Sequence, residues 1–302
     1  MMRGSEGLMN RSIFVLASLC LSWTASAQVA PECEDFAGPP PEGYDEQTQQ
    51  DFMANYVALA TTFSPLHGPI PHEPGHGSLG LQVGIIPPLG CEKRFALQHT
   101  KTEDTNKAPI VPRPTATLAF PAIGIARPYM GVAYVPPVKV FGTTNVILSG
   151  ELGVGFPIGE LLQLGARFHA TTQKTVGEFV TPFTDDEPAV DDLFIGSTLG
   201  LDLMGGIDLD LVVPYVAFGL TDASTFTFIG DDSLLANNYH PYFGPVFSVG
   251  VDGLVAERFR FGGEFYGAPG GYSLPDVDAP SVTPAARYGH LYTARFKVAV
   301  EL

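Results

Sequence analysis

Histidines and carboxylates are the residue types in this chain that could bind a metal ion or transfer a proton. Three of the seven histidines, His67, His72 and His76, fall close together in sequence with Glu73. Such a group could bind zinc or copper, but the prolines and glycines between these residues prevent a helix that would align the side chains. The spacing also matches no compact zinc signature. We therefore interpret the segment as a proline-rich loop with polar histidines, and we predict no metal ion and no other cofactor.

Two cysteines could form a disulfide. Residues 1–27 are predicted to be a secretory signal peptide, because a basic start precedes an apolar run from Ile13 to Trp23 and a small-residue cleavage site, Ala25-Ser26-Ala27. After its removal Cys33 and Cys91 remain, and an oxidising periplasm permits a bond between them.

Composition favours a membrane barrel and argues against nucleic acid as a partner. The formal charge of −16 lacks the basic footprint that nucleic acid requires. Only 16% of residues are charged, whereas about 25% is usual in soluble domains. No apolar run reaches the roughly 18 residues that a membrane helix needs. Acidic residues crowd into apparent loops at 185–187, 191–192 and 231–232, where we interpret them as solvated loop tips rather than a divalent-ion site.

The last strand, from His290 to Leu302, shows the pattern on which the fold prediction depends. Its alternate residues are apolar on one face, including Phe296 and Val298, and polar or charged on the other, including Arg295. A soluble sandwich could use one such strand. The same alternation recurs at residues 146–156, 162–170, 193–203 and 258–266, as expected when an apolar face meets lipid and a polar face lines a lumen.

The sequence therefore predicts an all-β protein, a transmembrane antiparallel up-and-down β-barrel over residues 78–302. Short links alternate with long ones, as in barrels with short periplasmic turns and long external loops. An even strand number leaves 10 or 12 strands, depending on whether residues 52–63 and 94–98 are strands. Residues 28–77 are predicted to be an N-terminal arm in which Asp45 to Ala60 forms a helical segment that could plug the barrel.

These features resemble Gram-negative outer-membrane β-barrel proteins over nearly the whole chain after the signal peptide. The resemblance rests on the signal peptide, the segment Asp45 to Ala60, and the last strand, which ends Phe296-Lys297-Val298-Ala299-Val300-Glu301-Leu302. Within that group the chain is similar to relatives of the long-chain fatty acid transporters. It departs in ending with Leu302 instead of an aromatic residue and in lacking an Asn-Pro-Ala signature. The resemblance implies a barrel in the bacterial outer membrane and identifies no substrate residue.

The first functional hypothesis is a passive or gated channel for small molecules, with apolar molecules as the first candidates. The alternatives are a structural or adhesive barrel with long acidic external loops, and a soluble periplasmic β-protein. Predicted partners are outer-membrane lipid, lipopolysaccharide and a small solute, with no prediction of oligomeric state. A barrel enzyme could use His169, but no serine motif accompanies it, so we predict no enzymatic activity. The predicted lumen-facing residues are Glu151, Arg167, His169, Asp202, Arg258, Arg260, Glu264, Arg295, Lys297 and Glu301.

Overall fold

A computed structural model describes residues 55–64, 66–85, 95–96, 101–102, 110–140, 143–177, 191–229, 233–236, 242–269 and 291–302. The predicted signal peptide and the predicted disulfide between Cys33 and Cys91 lie outside these residues. A short helix at 55–60 precedes the strands. The strands are β1 (Gly77–Ile85), β2 (Phe95–Ala96), β3 (Lys101–Thr102), β4 (Ile110–Ala119), β5 (Arg127–Val140), β6 (Thr143–Ile158), β7 (Leu162–Gly177), β8 (Asp192–Ile207), β9 (Val212–Ile229), β10 (Ser233–Ala236), β11 (Tyr242–Val255), β12 (Phe259–Ala268) and β13 (Leu291–Glu301).

Ten of these strands close into one antiparallel barrel, which confirms the predicted fold class. The circuit runs β1-β4-β5-β6-β7-β8-β9-β11-β12-β13, and β13 pairs back with β1. Closure pairs the edge strands, as a sheet surrounded by lipid requires. The 10-strand solution is correct and the 12-strand one is wrong, because β2 pairs only with β3 in a separate sheet and residues 55–60 are helical.

Each barrel strand separates an apolar outer face from a polar inner face. On β7, Leu164 is 53% exposed and points outward, whereas Arg167 is 3% exposed and points inward. The same division holds on the last strand, where Phe296 and Val298 are exposed while Arg295 and Lys297 are buried. Large exposed apolar side chains around the whole barrel require a hydrocarbon environment. The soluble periplasmic alternative is therefore wrong, and the barrel spans a membrane.

The connections at the two ends of the barrel differ in length, largely as predicted. At one end, here called the short-turn end, tight turns join β6 to β7, β8 to β9 and β11 to β12. At the opposite, long-connection end, the links include residues 86–109, 178–191 and 269–290. The β5–β6 link departs from the prediction, since only residues 141–142 separate these strands. β6 starts at Thr143, before its predicted start at residue 146, and the pairing of β5 with β6 shifts register between Val135 and Val138.

Residues 55–76 run through the inside of the barrel from the long-connection end to the short-turn end. The helix packs Tyr56 and Leu59 into an apolar cluster with Phe194, Tyr242 and Leu291, which lie at the long-connection ends of their strands. Farther along the chain His72 contacts β4 and β13 close to the short turns.

No helix within the described residues is long and apolar enough to cross a membrane.

Candidate functional site

Nearly all residues predicted to face the lumen are buried inside the barrel. Buried members are Glu151, Arg167, His169, Asp202, Arg260, Glu264, Arg295 and Lys297. Glu301, the last residue of β13, is partly buried and accepts a hydrogen bond from Arg260 Nε at 3.1 Å. Arg258 does not face the lumen. It is exposed in the turn at 256–258, because β12 begins at Phe259 and the alternation of faces does not extend into the turn.

The barrel wall, which the ten paired strands form, has a charge pair in its middle that does not involve the N-terminal segment. Arg167 and Asp202 lie directly opposite each other on β7 and β8. Arg167 donates from Nε and Nη2 to Asp202 Oδ2 at 3.0 and 2.5 Å, and His169 Nε2 lies 3.4 Å from the same oxygen. Charge-assisted bonds of this kind join neighbouring strands across the lumen face. His169 is therefore part of a buried wall network.

A second charge network lies at the short-turn end. Arg260 donates from Nη1 to Asp252 Oδ2 at 2.5 Å and from Nε to Glu301 Oε2 at 3.1 Å. Lys297 Nζ lies 4.0 Å from Asp252 Oδ1. Asp252 was not among the predicted lumen residues, although it has the same parity on β11 as the buried Ser248. Counting every second residue along β11 from Ser248 would have identified Asp252.

The N-terminal segment, residues 55–76, is hereafter called the plug, and its upper half is held to the wall by polar contacts. The Thr61 carbonyl accepts a hydrogen bond from Arg113 Nη2 at 2.7 Å. The Phe63 backbone N–H donates to the Thr171 hydroxyl at 2.9 Å. Ser64 Oγ donates to Glu264 Oε1 at 2.5 Å.

The histidines hold the lower half of the plug and do not gather around one point. His67 Nε2 lies 3.0 Å from Glu151 Oε1, while its Nδ1 lies 2.6 Å from the Gly68 carbonyl. His72 contacts Glu301 Oε1 at 2.7 Å and Thr117 Oγ1 at 2.6 Å. Burial lowers the pKa of His72, against the opposing effect of its hydrogen bond to Glu301. His76 is exposed. The described residues contain no cluster of three or more metal-ligating side chains.

Glycines on the inner face let the plug approach the wall closely. A Cβ at Gly206 would lie 2.9 Å from Pro69 Cδ, and one at Gly165 would lie 3.0 Å from Pro69 Cβ. A Cβ at Gly262 would lie 2.7 Å from the Leu66 carbonyl oxygen. These separations are too short for a larger side chain, so the inward glycines form a groove for the middle of the plug.

A closed barrel with an apolar outer belt and a polar, occupied lumen defines an outer-membrane β-barrel protein, as the sequence predicted. No family model and no curated protein matches the chain.

Several solved structures of outer-membrane barrels resemble it weakly. The translocator domain of the autotransporter NalP from Neisseria meningitidis is 10% identical, with 82% of this chain and 92% of that chain covered and a TM-score of 0.42. The attachment invasion locus protein Ail of Yersinia pestis is 7% identical, with 76% and 100% covered and a TM-score of 0.33. A Pseudomonas aeruginosa FadL homologue is 9% identical, with 82% and 96% covered and a TM-score of 0.28. Because these identities and TM-scores are low, we draw nothing about ligand or activity from them.

Proposed function

We propose that this protein is a gated channel of the outer membrane and that residues 55–76 are its gate. The observation that carries the proposal is the polar character of the contacts between the plug and the middle of the wall. Thr61, Ser64, His67 and His72 all contact the wall through one or two hydrogen bonds each. Water can replace such contacts at a net cost of about 0.5–1.5 kcal/mol for a neutral pair and about 1.5–3 kcal/mol for a hydrogen bond to a charged group. The plug is therefore held closed and can still be released.

The wall has its own cross-strand contacts, so it can stay closed when the plug leaves. The pairs Arg167–Asp202 and Arg260–Asp252 join wall strands to one another and include no plug residue. A barrel also keeps its backbone hydrogen bonds whether or not its lumen is filled. Release of the plug then changes the lumen and leaves the barrel intact.

The described wall favours small polar solutes over the apolar ones that the sequence first suggested. Its inner face carries buried polar atoms that have no hydrogen-bond partner among the described residues, among them Gln82 Oε1, Gln163 Oε1, Gln173 Oε1, Thr198 Oγ1 and Thr221 Oγ1. Buried polar atoms of this kind are usually satisfied by ordered water. We therefore propose a hydrated path, with outer-membrane lipid contacting only the outer apolar face.

A disulfide between plug and wall tests the gate directly. Ala58 Cβ lies 3.5 Å from the position that a Cβ would take at Gly196, which is within the usual range of about 3.5–4.5 Å for disulfides. In a Cys33→Ser, Cys91→Ser background, Ala58→Cys with Gly196→Cys should lock the helix to β8. We expect the oxidised protein to open in planar bilayers at least about tenfold less often than the same protein after reduction.

The two single-cysteine variants are the matched controls, and oxidation should leave their opening unchanged. Equal opening of the locked and reduced double variant would contradict a gate formed by the plug. A reduced protein that never conducts and admits no small solute into liposomes would contradict channel function altogether.

Strand length favours one second candidate, a barrel that presents a surface outside the cell. β9 contains 18 residues and β7 and β8 contain 16 each, whereas roughly 9–11 residues cross a membrane. The surplus places paired strand beyond the hydrocarbon, where it could bind lipopolysaccharide or another cell. Replacing residues 178–190 by a short glycine-serine link should then abolish binding to lipopolysaccharide vesicles or host cells without changing conductance. Unchanged binding would exclude that loop as the binding surface.

A further inference from the structure

Two buried arginines of the wall differ from the others in their partners. Arg167 and Arg260 each form a short ion pair with an aspartate. Arg113 and Arg295 are just as deeply buried, at 4% and 1% exposure, but neither forms a hydrogen bond to a described carboxylate. Arg295 lies within ion-pair distance of Glu264, but buried N–H donors that make no hydrogen bond are costly, so a further acceptor would stabilise them.

Arg295 keeps its terminal nitrogens free. Its guanidinium carbon lies 4.1 Å from the centre of the Tyr266 ring. Its Nη1 is 3.8 Å from Glu264 Oε1, too far for a hydrogen bond. The carboxylate of Glu264 is already used by Ser64 at 2.5 Å and by the Tyr215 hydroxyl at 2.9 Å. Both Nη1 and Nη2 of Arg295 are therefore buried donors without an acceptor in the described part of the chain.

Arg113 bonds to the plug and to a wall hydroxyl. Its Nη2 donates to the Thr61 carbonyl at 2.7 Å, and its Nη1 is 3.5 Å from Ser149 Oγ. Arg113 and Arg295 flank β1 on its two sides, opposite Gln82 and Gly84 respectively, so two like charges lie near each other in the lumen.

A glycine keeps the wall open beside these arginines. Gly84 pairs with Arg295 on one side and with Val111, two residues before Arg113, on the other. A Cβ at Gly84 would meet only the Arg295 stem, at 4.0 Å. The inner face of the wall is therefore open at Gly84, next to the Arg295 side chain.

We propose that Arg113 and Arg295 form a binding site for a small oxyanion, a carboxylate or a phosphate, inside the lumen. A planar guanidinium presents paired N–H donors that match such an anion, and an anion between two guanidinium groups removes their mutual repulsion. The free Nη1 and Nη2 of Arg295 can bind while the channel is closed. Arg113 becomes fully available only when the Thr61 carbonyl leaves it. This second step rests on the proposed gating, and it makes anions stabilise the open state.

Equilibrium binding tests the site without any need for gating. The full-length protein in detergent is titrated calorimetrically with sodium phosphate and separately with sodium acetate, in Tris chloride at constant ionic strength. We expect saturable one-site binding of at least one of the two anions. Arg295→Gln should weaken it at least about tenfold, because it removes charge-assisted hydrogen bonds.

Arg258→Gln is the matched control, because it removes one arginine charge from an exposed turn and should leave the affinity within about twofold. Heat-modifiable gel migration verifies that each variant is a folded barrel. Arg295→Lys, which keeps the charge, replaces Arg295→Gln if that variant does not fold, and should lose the preference for oxyanion over chloride. The proposal is overturned if neither anion binds the wild-type protein, or if the folded Arg295 variant binds as the wild type does.

Measurements of ion selectivity distinguish the proposed oxyanion site from the proposed gate. Arg295→Gln should shift the reversal potential in a salt gradient toward cation preference while opening stays as frequent as in wild type. Arg113→Gln should cause the same shift and also more frequent opening, because the bond to the Thr61 carbonyl is lost. If the plug disulfide changes the opening frequency but the two arginine variants keep the selectivity of the wild type, the oxyanion site alone is refuted. Anion binding in a protein that never conducts would refute the channel alone.

Discussion

Replacing Asp202 by asparagine should test whether the wall is stable without the plug. Asp202 receives two hydrogen bonds from Arg167 on the facing strand, at 3.0 and 2.5 Å, and both residues are buried. The Asp202→Asn side chain keeps the size of the original but not its charge. The Arg167 guanidinium is then left in the lumen with one neutral acceptor where it had a carboxylate.

The expected loss of stability follows from the ion pair that the substitution removes. Removing one partner of a dry buried ion pair costs about 3–5 kcal/mol. His169 and other polar side chains of the lumen remain near the guanidinium, so we expect a smaller loss of about 2–4 kcal/mol in the free energy of unfolding. Arg167→Gln should cost a similar amount. The double variant should cost less than the sum of the two, with a coupling energy of about 1.5–3 kcal/mol, the usual net value for hydrogen bonds to charged groups.

Urea unfolding of the barrel in lipid vesicles, followed by the loss of heat-modifiable migration, measures all three variants against the wild type. Asp210→Asn is the control, because Asp210 is exposed in a turn at a positive φ of 65° that asparagine also tolerates. Additive effects, with a coupling energy below about 0.5 kcal/mol, would refute a direct pair. An Asp202→Asn variant as stable to urea as the wild type would refute the view that this network stabilises the wall.

Three further predictions concern the plug and the cysteines. Gly206→Ala places a Cβ 2.9 Å from a plug proline and should destabilise the plugged barrel by about 1–3 kcal/mol in urea, whereas Gly205→Ala, whose nearest contact is at 4.0 Å on the outer face, should be neutral. Burial lowers the pKa of His72, so its contribution to plug stability is full above its usual value of about 6.5 and is lost as the pH falls toward the lowered pKa. Opening should therefore be more frequent at pH 5.5 than at 7.5, and His72→Gln should remove the difference. Cys33 and Cys91 should be bonded to each other, which intact mass with and without reductant will show as a gain of two hydrogen atoms on reduction; free thiols in the unreduced protein would contradict it.

The alternation of apolar and polar residues along the strands was enough to predict the barrel and most of its lumen-facing residues. Alternation alone placed Glu151, Arg167 and Asp202 on the inner face, because a strand has only two faces and the apolar one must meet lipid. It failed for Arg258, since nothing in the sequence marks the point where the turn ends and β12 begins. Strand ends are set by hydrogen bonding across the turn, which single residues specify weakly.

Arg113 was missed for a different reason. Pro112 and Pro114 flank it, and proline usually excludes a central strand because it cannot donate to the ladder. Both prolines nevertheless pair in β4, opposite Val83 and Leu81. None of the alternating segments recognised in the sequence includes Arg113, so one of the two arginines of the proposed oxyanion site was not considered.

The path of the plug could not be derived from the sequence, because its contacts join residues far apart in the chain. Ser64 contacts Glu264 and His72 contacts Glu301, and no local pattern reports such pairs. The histidines looked like metal ligands because they are close in sequence. Along the plug His67 and His72 instead contact different strands, each with its own partner, and His76 is exposed.

The division of contacts within the plug explains how one segment could seal the lumen and still open. At the long-connection end the helix buries Tyr56 and Leu59 among apolar side chains, each contributing about 1.5–3 kcal/mol. Beyond the helix the plug makes six polar contacts with the wall, four of them to charged groups and worth about 1.5–3 kcal/mol each. Release of these polar contacts alone costs less than release of the whole plug, which must also expose the apolar side chains of the helix. Because the helix packs at the long-connection end, we expect the lumen to open only when the helix leaves as well, so low pH, which weakens the His72 contacts, should not open the locked channel. If lowering the pH opens the locked channel, the helix is not part of the gate.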